Sequence, residues 1–127
     1  MVEVTSDKHG GFSSGRATSK RAIEVSKMSN REKLSDEVIE SFVKTHEGWA
    51  RKDNAITRSF KFADYSSALA FVVRVSLLAE KRDHHPDIFL AWGRADVLWT
   101  THDSGGITQL DTSLAEATDK LYAAERT

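Results

Sequence analysis

Residues 64–101 read DYSSALAFVVRVSLLAEKRDHHPDIFLAWGRADVLWTT, and two apolar periods meet inside them. From Asp64 to Lys81 the period is that of a helix. Tyr65, Ala68, Leu69, Val72, Val75 and Ala79 form a central stripe, flanked by Phe71 and Leu78 on one side and by Val73 and Leu77 on the other. That arc exceeds half the circumference, whereas a surface helix needs a stripe of only about 100°. Such a helix is expected to pack on its own sheet and also on a partner helix, which predicts an oligomer. Pro86 cannot continue the helix, and it biases His85 away from helical geometry. Asp83-His84-His85-Pro86-Asp87 is therefore a loop between helix and strand. Beyond it the period becomes two. Ile88–Trp92, a Gly93-Arg94 turn and Ala95–Thr101 read as a hairpin. In its second strand Ala95, Val97, Trp99 and Thr101 share one face, and Asp96, Leu98, Thr100 and His102 the other.

The flanking sequence extends the pattern. Upstream, Leu34, Val38, Ile39, Phe42 and Val43 make one helical stripe. Ser35 is its expected N-cap, Asp36 and Glu37 suit the first turn, and Gly48 marks its end. A short strand at Trp49–Lys52, an Asp53-Asn54 turn and a strand at Ala55–Phe62 follow. Arg58 interrupts the apolar face of that strand and is expected near a solvated edge. Downstream, Ser104-Gly105-Gly106 is a loop. Thr108 with Asp111 three residues later resembles a capping box that opens a last helix through Leu110, Leu114, Ala117, Leu121 and Tyr122. The order αββαββα predicts an α+β fold: a four-stranded antiparallel sheet with three helices packed on one face.

The chain has 127 residues, enough for one domain. Residues 1–30 hold glycines, serines and scattered apolar residues, and are expected to be a flexible N-terminal tail ahead of a domain at 31–127. Net charge is −1, which argues against direct nucleic-acid binding. Cysteine is absent, so disulfides, thiolate metal sites and a cysteine nucleophile are excluded. No apolar run approaches the roughly 20 residues of a membrane span, and no secretory signal is evident at the N-terminus. A cytoplasmic location is the expectation.

Histidine carries the candidate chemistry. His9 lies in the tail, and His46, ending the first helix, is expected to be structural. His84 and His85 precede one hairpin strand, and His102 follows the other. In an antiparallel hairpin the start of one strand lies beside the end of the next, so His84, His85 and His102 should meet at one end of the sheet. Loop histidines satisfying backbone groups, a three-histidine metal site and metal-free acid–base catalysis are the competing readings. Adjacent histidines ligate one ion only with a strained loop. Histidine suits acid–base work because its pKa of about 6.5 lies near working pH. Asp83, Asp87, Asp103 and Asp111 could orient an imidazole, and Asp111 could equally be an ordinary helix cap. Trp49, Trp92 and Trp99 could stack on a flat ring, although core or interface positions are the commoner use of tryptophan.

The run Ala79–Asp87 (AEKRDHHPD), then Thr101-His102, Gly105-Gly106-Ile107-Thr108 and Leu110-Asp111, resembles the pterin-4a-carbinolamine dehydratase family. The likeness extends upstream to Gly48-Trp49 and Ile56–Phe62, and covers roughly Leu34 to Tyr122. It implies an α+β sandwich that forms dimers or tetramers, and loss of water from a 4a-hydroxytetrahydropterin to give the quinonoid dihydropterin. It implies no metal and no cofactor. It assigns His84, His85 and His102 as the functional set, with His84 and His102 as the acid–base pair and His85 as a substrate contact. His84, His85, Pro86, Thr101, His102, Asp103 and Ser104 would line the pterin pocket, with Asp83, Asp111 and Trp49 in possible support. Some relatives instead bind proteins, as a dimerization cofactor of a homeodomain transcription factor or as a RuBisCO assembly factor. Trp92-Gly93, Ala95 and Trp99 depart from the residues common in relatives.

Overall fold

A computed structural model describes residues 2–4 and 31–125 of the chain. Three helices and an antiparallel sheet follow in the expected order. They are α1 (Asp36–Thr45), β2 (Ala50–Lys52), β3 (Ala55–Lys61), α2 (Tyr65–Arg82), β4 (Asp87–Ala91), β5 (Arg94–Trp99) and α3 (Gln109–Glu125). A short strand, β1 (Val2–Val4), pairs antiparallel with β4 at the sheet edge. The four expected strands thus become five, in the order β1-β4-β5-β3-β2. The remainder of the expected tail, residues 1 and 5–30, lies outside the described residues.

The helix ends follow their local chemistry. Ser35 caps α1 by accepting from the Val38 N–H, and Asp64 caps α2 by accepting from the Ser67 N–H. Helix α1 stops at Thr45, three residues before Gly48, because His46 turns extended and closes the last turn onto the Phe42 carbonyl. His46 is structural, as expected: its ring bridges the Phe42 carbonyl and the Glu116 carboxylate. Helix α2 ends at Asp83, which adopts the left-handed conformation (φ 50°) and donates its N–H back to Ala79 and Glu80. Pro86 makes a sharp stop useful at that point.

Alternation builds the core. Ile88 and Leu90 of β4 and Ala95, Val97 and Trp99 of β5 are buried on one face against Phe71, Val75 and Ala79 of α2 and Leu114 of α3. The β4–β5 turn is Trp92-Gly93, one residue earlier than the pattern predicts. Gly93 supplies the positive φ (68°) that a two-residue hairpin favours. Trp92 consequently sits at the tip, 72% exposed.

Arg58 corrects the sequence reading. It faces the helices rather than a solvated edge, and its guanidinium donates to Asp119 of α3 at 2.7 Å. It also lies over the Phe60 ring, 4.6 Å from the centroid. Gly48, at φ 95°, leaves room for it, since a Cβ there would stand 2.6 Å from Arg58 Nε.

The apolar arc of α2 is covered only in part, and Leu69, expected in its central stripe, lies on the uncovered side. Ala68, Phe71, Val72, Val75 and Ala79 are buried, while Leu69, Val73 and Leu77, four residues apart, remain exposed.

Candidate active site

The site is assembled where β4 begins and β5 ends. Asp87, the first residue of β4, pairs with Leu98 of β5. His84 and His85 immediately precede that start, and Thr101 and His102 immediately follow that end. A 3-10 turn, His102–Ser104, and an isolated bridge between Thr101 and Gly106 then fold the chain back toward α3.

The tightest part is a carboxylate–imidazole pair. Asp111 is fully buried, and its Oδ1 lies 2.7 Å from His84 Nε2. Its Oδ2 accepts from the Thr101 hydroxyl at 2.7 Å and from the Thr108 N–H at 2.9 Å. The Thr101 and Thr108 hydroxyls also bond each other at 2.9 Å. Asp111 is the third residue of α3, so the bond to the Thr108 N–H is half of the expected capping box. One carboxylate both caps a helix and holds a histidine. A carboxylate accepts only, so His84 Nε2 donates, which fixes the tautomer of the neutral ring. The His84 ring also stacks on Trp99, with centroids 5.9 Å apart and planes 10° apart. Trp99 is itself anchored by an indole N–H bond to Thr118.

His85 is held differently. Its Nε2 lies 2.7 Å from Glu80 Oε1, one turn back on α2. His102 is exposed, and among the described residues its ring has no polar partner. The three histidines therefore occupy one end of the sheet, two of them held by different carboxylates and the third by no polar group among the described residues. His84 belongs to the helix-facing side with Trp99 and Thr101, whereas His102 follows the alternation to the open side.

A cavity of about 350 Å³ opens on that side. Its wall includes His102, Asp87, Leu98, Thr100, the β2–β3 turn and Gly105-Gly106, and neither His84 nor His85 lines it. The Thr100 hydroxyl donates to the Asn54 carbonyl, which ties the β2–β3 turn to this wall.

Residues 31–34 brace the turn that carries His102. Leu34 N–H donates to the Ile107 carbonyl at 2.9 Å, the Ser104 hydroxyl donates to the Arg31 carbonyl, and Arg31 approaches Asp103 at 3.7 Å. Asp103 and Ser104 are thus anchored to the chain entering α1. Trp49 stands apart from the histidines. Its indole N–H donates to Asp119 at 2.9 Å, in the network that also holds Arg58. Asp83 is the cap of α2. Sequence reasoning missed Glu80, although its spacing of five before His85, just ahead of a helix stop, was a usable signal. It also missed the brace at residues 31–34, which no local pattern announces. Among the described residues no group of three His, Asp or Glu side chains is placed to hold a metal ion.

The profile of the family described as pterin 4 alpha carbinolamine dehydratase matches residues 32–121. The chain belongs to that family. A Bradyrhizobium sp. (strain BTAi1) relative bearing the family's name is 45% identical over 95 residues, covering 73% of this chain and 96% of its own. One from Rhizorhabdus wittichii is 46% identical over 92 residues, covering 71% and 95%. A crystal structure from Brucella melitensis, titled a transcriptional coactivator/pterin dehydratase, superposes with a TM-score of 0.68 at 39% identity, covering 72% of this chain and 99% of that one. A pterin dehydratase-like protein described as a RuBisCO assembly factor in the alpha-carboxysome shares the fold at 21% identity, with a TM-score of 0.51 and coverage of 61% and 92%.

Proposed function

We propose that this protein removes water from a 4a-hydroxytetrahydropterin to give the quinonoid dihydropterin, by histidine acid–base catalysis. The observation that carries the reading is the His84–Asp111 pair, a buried carboxylate orienting one imidazole at the rim that also bears His102. The chemistry asks for little more. The C4a–O bond breaks, and the departing hydroxyl takes a proton and leaves as water. A ring nitrogen loses its proton, and its electron pair forms the new C=N bond. One proton is given and one is taken, so no oxidant, reductant or metal is required.

In this reading His84 and His102 are the acid–base pair. Asp111 occupies Nε2 of His84, so Nδ1 is the nitrogen that exchanges a proton. His85, steadied by Glu80, contacts the substrate, and Pro86, Thr101, Asp103 and Ser104 shape the rim. The turnover is assigned to the cytoplasm and to a homodimer or homotetramer. A stopped-flow assay with a 4a-hydroxytetrahydropterin tests the activity. His84→Ala and His102→Ala should each lose on the order of 10²–10⁴ in rate. Wild-type protein giving no rate above the spontaneous background would remove the enzyme reading.

A second reading, a module that binds another protein, is favoured by the exposed Leu69, Val73 and Leu77. A stoichiometric partner whose binding survives both histidine substitutions, together with an inactive wild type, would select it.

A further inference from the structure

Two polar groups at this end of the sheet differ from the rest. Asp111 and Glu80 are already engaged by imidazoles, and Asp103 by Arg31. The side chains of Asp87 and His102 have no hydrogen bond or ion pair among the described residues, and both residues line the same cavity of about 350 Å³. Asp87 is half-buried and sits on the open face of β4, opposite Leu98. Leu98, paired with Asp87, lines the same cavity and adds apolar surface to it. A carboxylate on a rigid strand, beside an apolar surface and in one cavity with an uncommitted imidazole, suits a flat heterocycle that offers paired N–H donors at one edge.

The geometry points to Asp87 as the specificity residue for the 2-amino, N3–H edge of the pteridine. This assignment rests on the pterin reading above and goes beyond it, because it says how the ring is chosen and oriented. The two carboxylate oxygens accept from the exocyclic amine and from N3–H, in the bidentate manner carboxylates use with guanidinium groups. The ring-fusion carbon C4a, which carries the hydroxyl across the pyrimidine ring from that edge, is then directed toward His102. Asp53, the other carboxylate of the wall, is a weaker candidate. It is exposed at the tip of the β2–β3 turn rather than set on a strand.

Asparagine at 87 makes a sharp test, because its amide keeps the shape and reverses one hydrogen-bonding group. It matches a C2 carbonyl beside N3–H, and mismatches a C2 amine. Full-length wild type, Asp87→Asn and Asp53→Asn would be titrated with 2-amino-4-oxopteridine and with 2,4-dioxopteridine, and dehydratase rates measured beside them. Wild type should prefer the 2-amino ring by roughly 10- to 100-fold, the range of a charge-assisted hydrogen bond. Asp87→Asn should abolish or invert that preference, and Asp53→Asn should keep it. An active wild type whose preference survives Asp87→Asn would overturn the assignment and leave the dehydratase reading standing. A wild type that neither dehydrates nor binds either ring would remove both.

Discussion

Replacing Asp111 by alanine takes the acceptor away from three donors at once: the Thr108 N–H, the Thr101 hydroxyl and the ring N–H of His84. The Thr101 hydroxyl can turn wholly to Thr108, only 2.9 Å away. Two donors are then stranded, one on the backbone of a fully buried residue and one on a ring that is 10% exposed. At about 1–3 kcal/mol for each buried unsatisfied group, Asp111→Ala should cost about 3–5 kcal/mol, a large share of a small domain's stability. Asp111→Asn is the more informative change. Its amide oxygen can still accept from Thr101 and Thr108, while its NH₂ turns to His84. A donor now faces a donor, so the neutral ring must adopt the opposite tautomer, with its proton on Nδ1. Exchanging charge-assisted bonds for neutral ones should cost about 1–2 kcal/mol. The dehydration rate should fall by roughly 10²–10⁴, as it does where a positioning carboxylate no longer holds a catalytic histidine in its working tautomer. Urea unfolding gives the stabilities, ring ¹⁵N chemical shifts give the tautomer, and stopped-flow gives the rate. Asp111→Asn protein with the His84 proton still on Nε2 and full activity would refute the positioning role. An alanine variant within about 1 kcal/mol of wild type would refute the hydrogen-bond reasoning itself.

Three further outcomes are expected. Leu77→Glu places a charge on the exposed apolar line of α2 and should convert an oligomer to monomers in light scattering without lowering monomer helicity; wild type that is already monomeric at micromolar concentration would end that proposal. Asp119→Ala leaves the Trp49 indole N–H and the Arg58 guanidinium without their shared carboxylate, and should lower urea stability by about 1–3 kcal/mol with dehydration rates intact. Asp64, whose carboxyl is held below the ordinary range by bonds from the Ser67 N–H and hydroxyl, stabilises α2 only as the anion. Its contribution is complete above the unfolded carboxyl's titration and is lost as pH falls through the lower folded value, so the stability gap between wild type and Asp64→Ala should be full near neutrality and should narrow by about pH 2.

What could be read beforehand follows the range of the interactions. Helix α2, the Pro86 stop and the alternating β5 announce themselves through neighbours within four residues, so the αββαββα order is visible in the chain. Residue-level ends slipped where a tertiary contact decided them. His46 folds back on α1 and reaches Glu116, which ends the helix before Gly48. Strand β1 was invisible because three residues carry too little alternation to register, and its stability comes from the β4 edge it covers. Arg58 was misplaced for the same reason: its partner, Asp119, lies 61 residues away. The site was half legible. The approach of His84 and His85 to one sheet end with His102 follows from hairpin geometry, and Thr101 and His102 fall on opposite faces by simple alternation. The division of labour does not follow from spacing, because it depends on which carboxylate reaches which ring.

That division has a consequence for how function is built on this fold. Asp111 serves the helix and the histidine with one side chain, so in the proposed reading substitutions there should change both stability and rate, in proportions that depend on the hydrogen bonds the new side chain keeps. Its neighbours Thr101 and Thr108 are buried and tie the same carboxylate to the end of β5, which makes the orientation of His84 a property of the core rather than of a loop. Asp87 and His102 are the converse. His102 is exposed and Asp87 half-buried, and neither side chain carries a hydrogen bond or ion pair among the described residues. In the proposed reading, a site with one imidazole fixed by the core and a second left at the cavity holds its acid–base geometry while the recognition edge varies. Substitutions at 87 should therefore alter which ring is bound far more than whether the domain folds, and substitutions at 111 should do both.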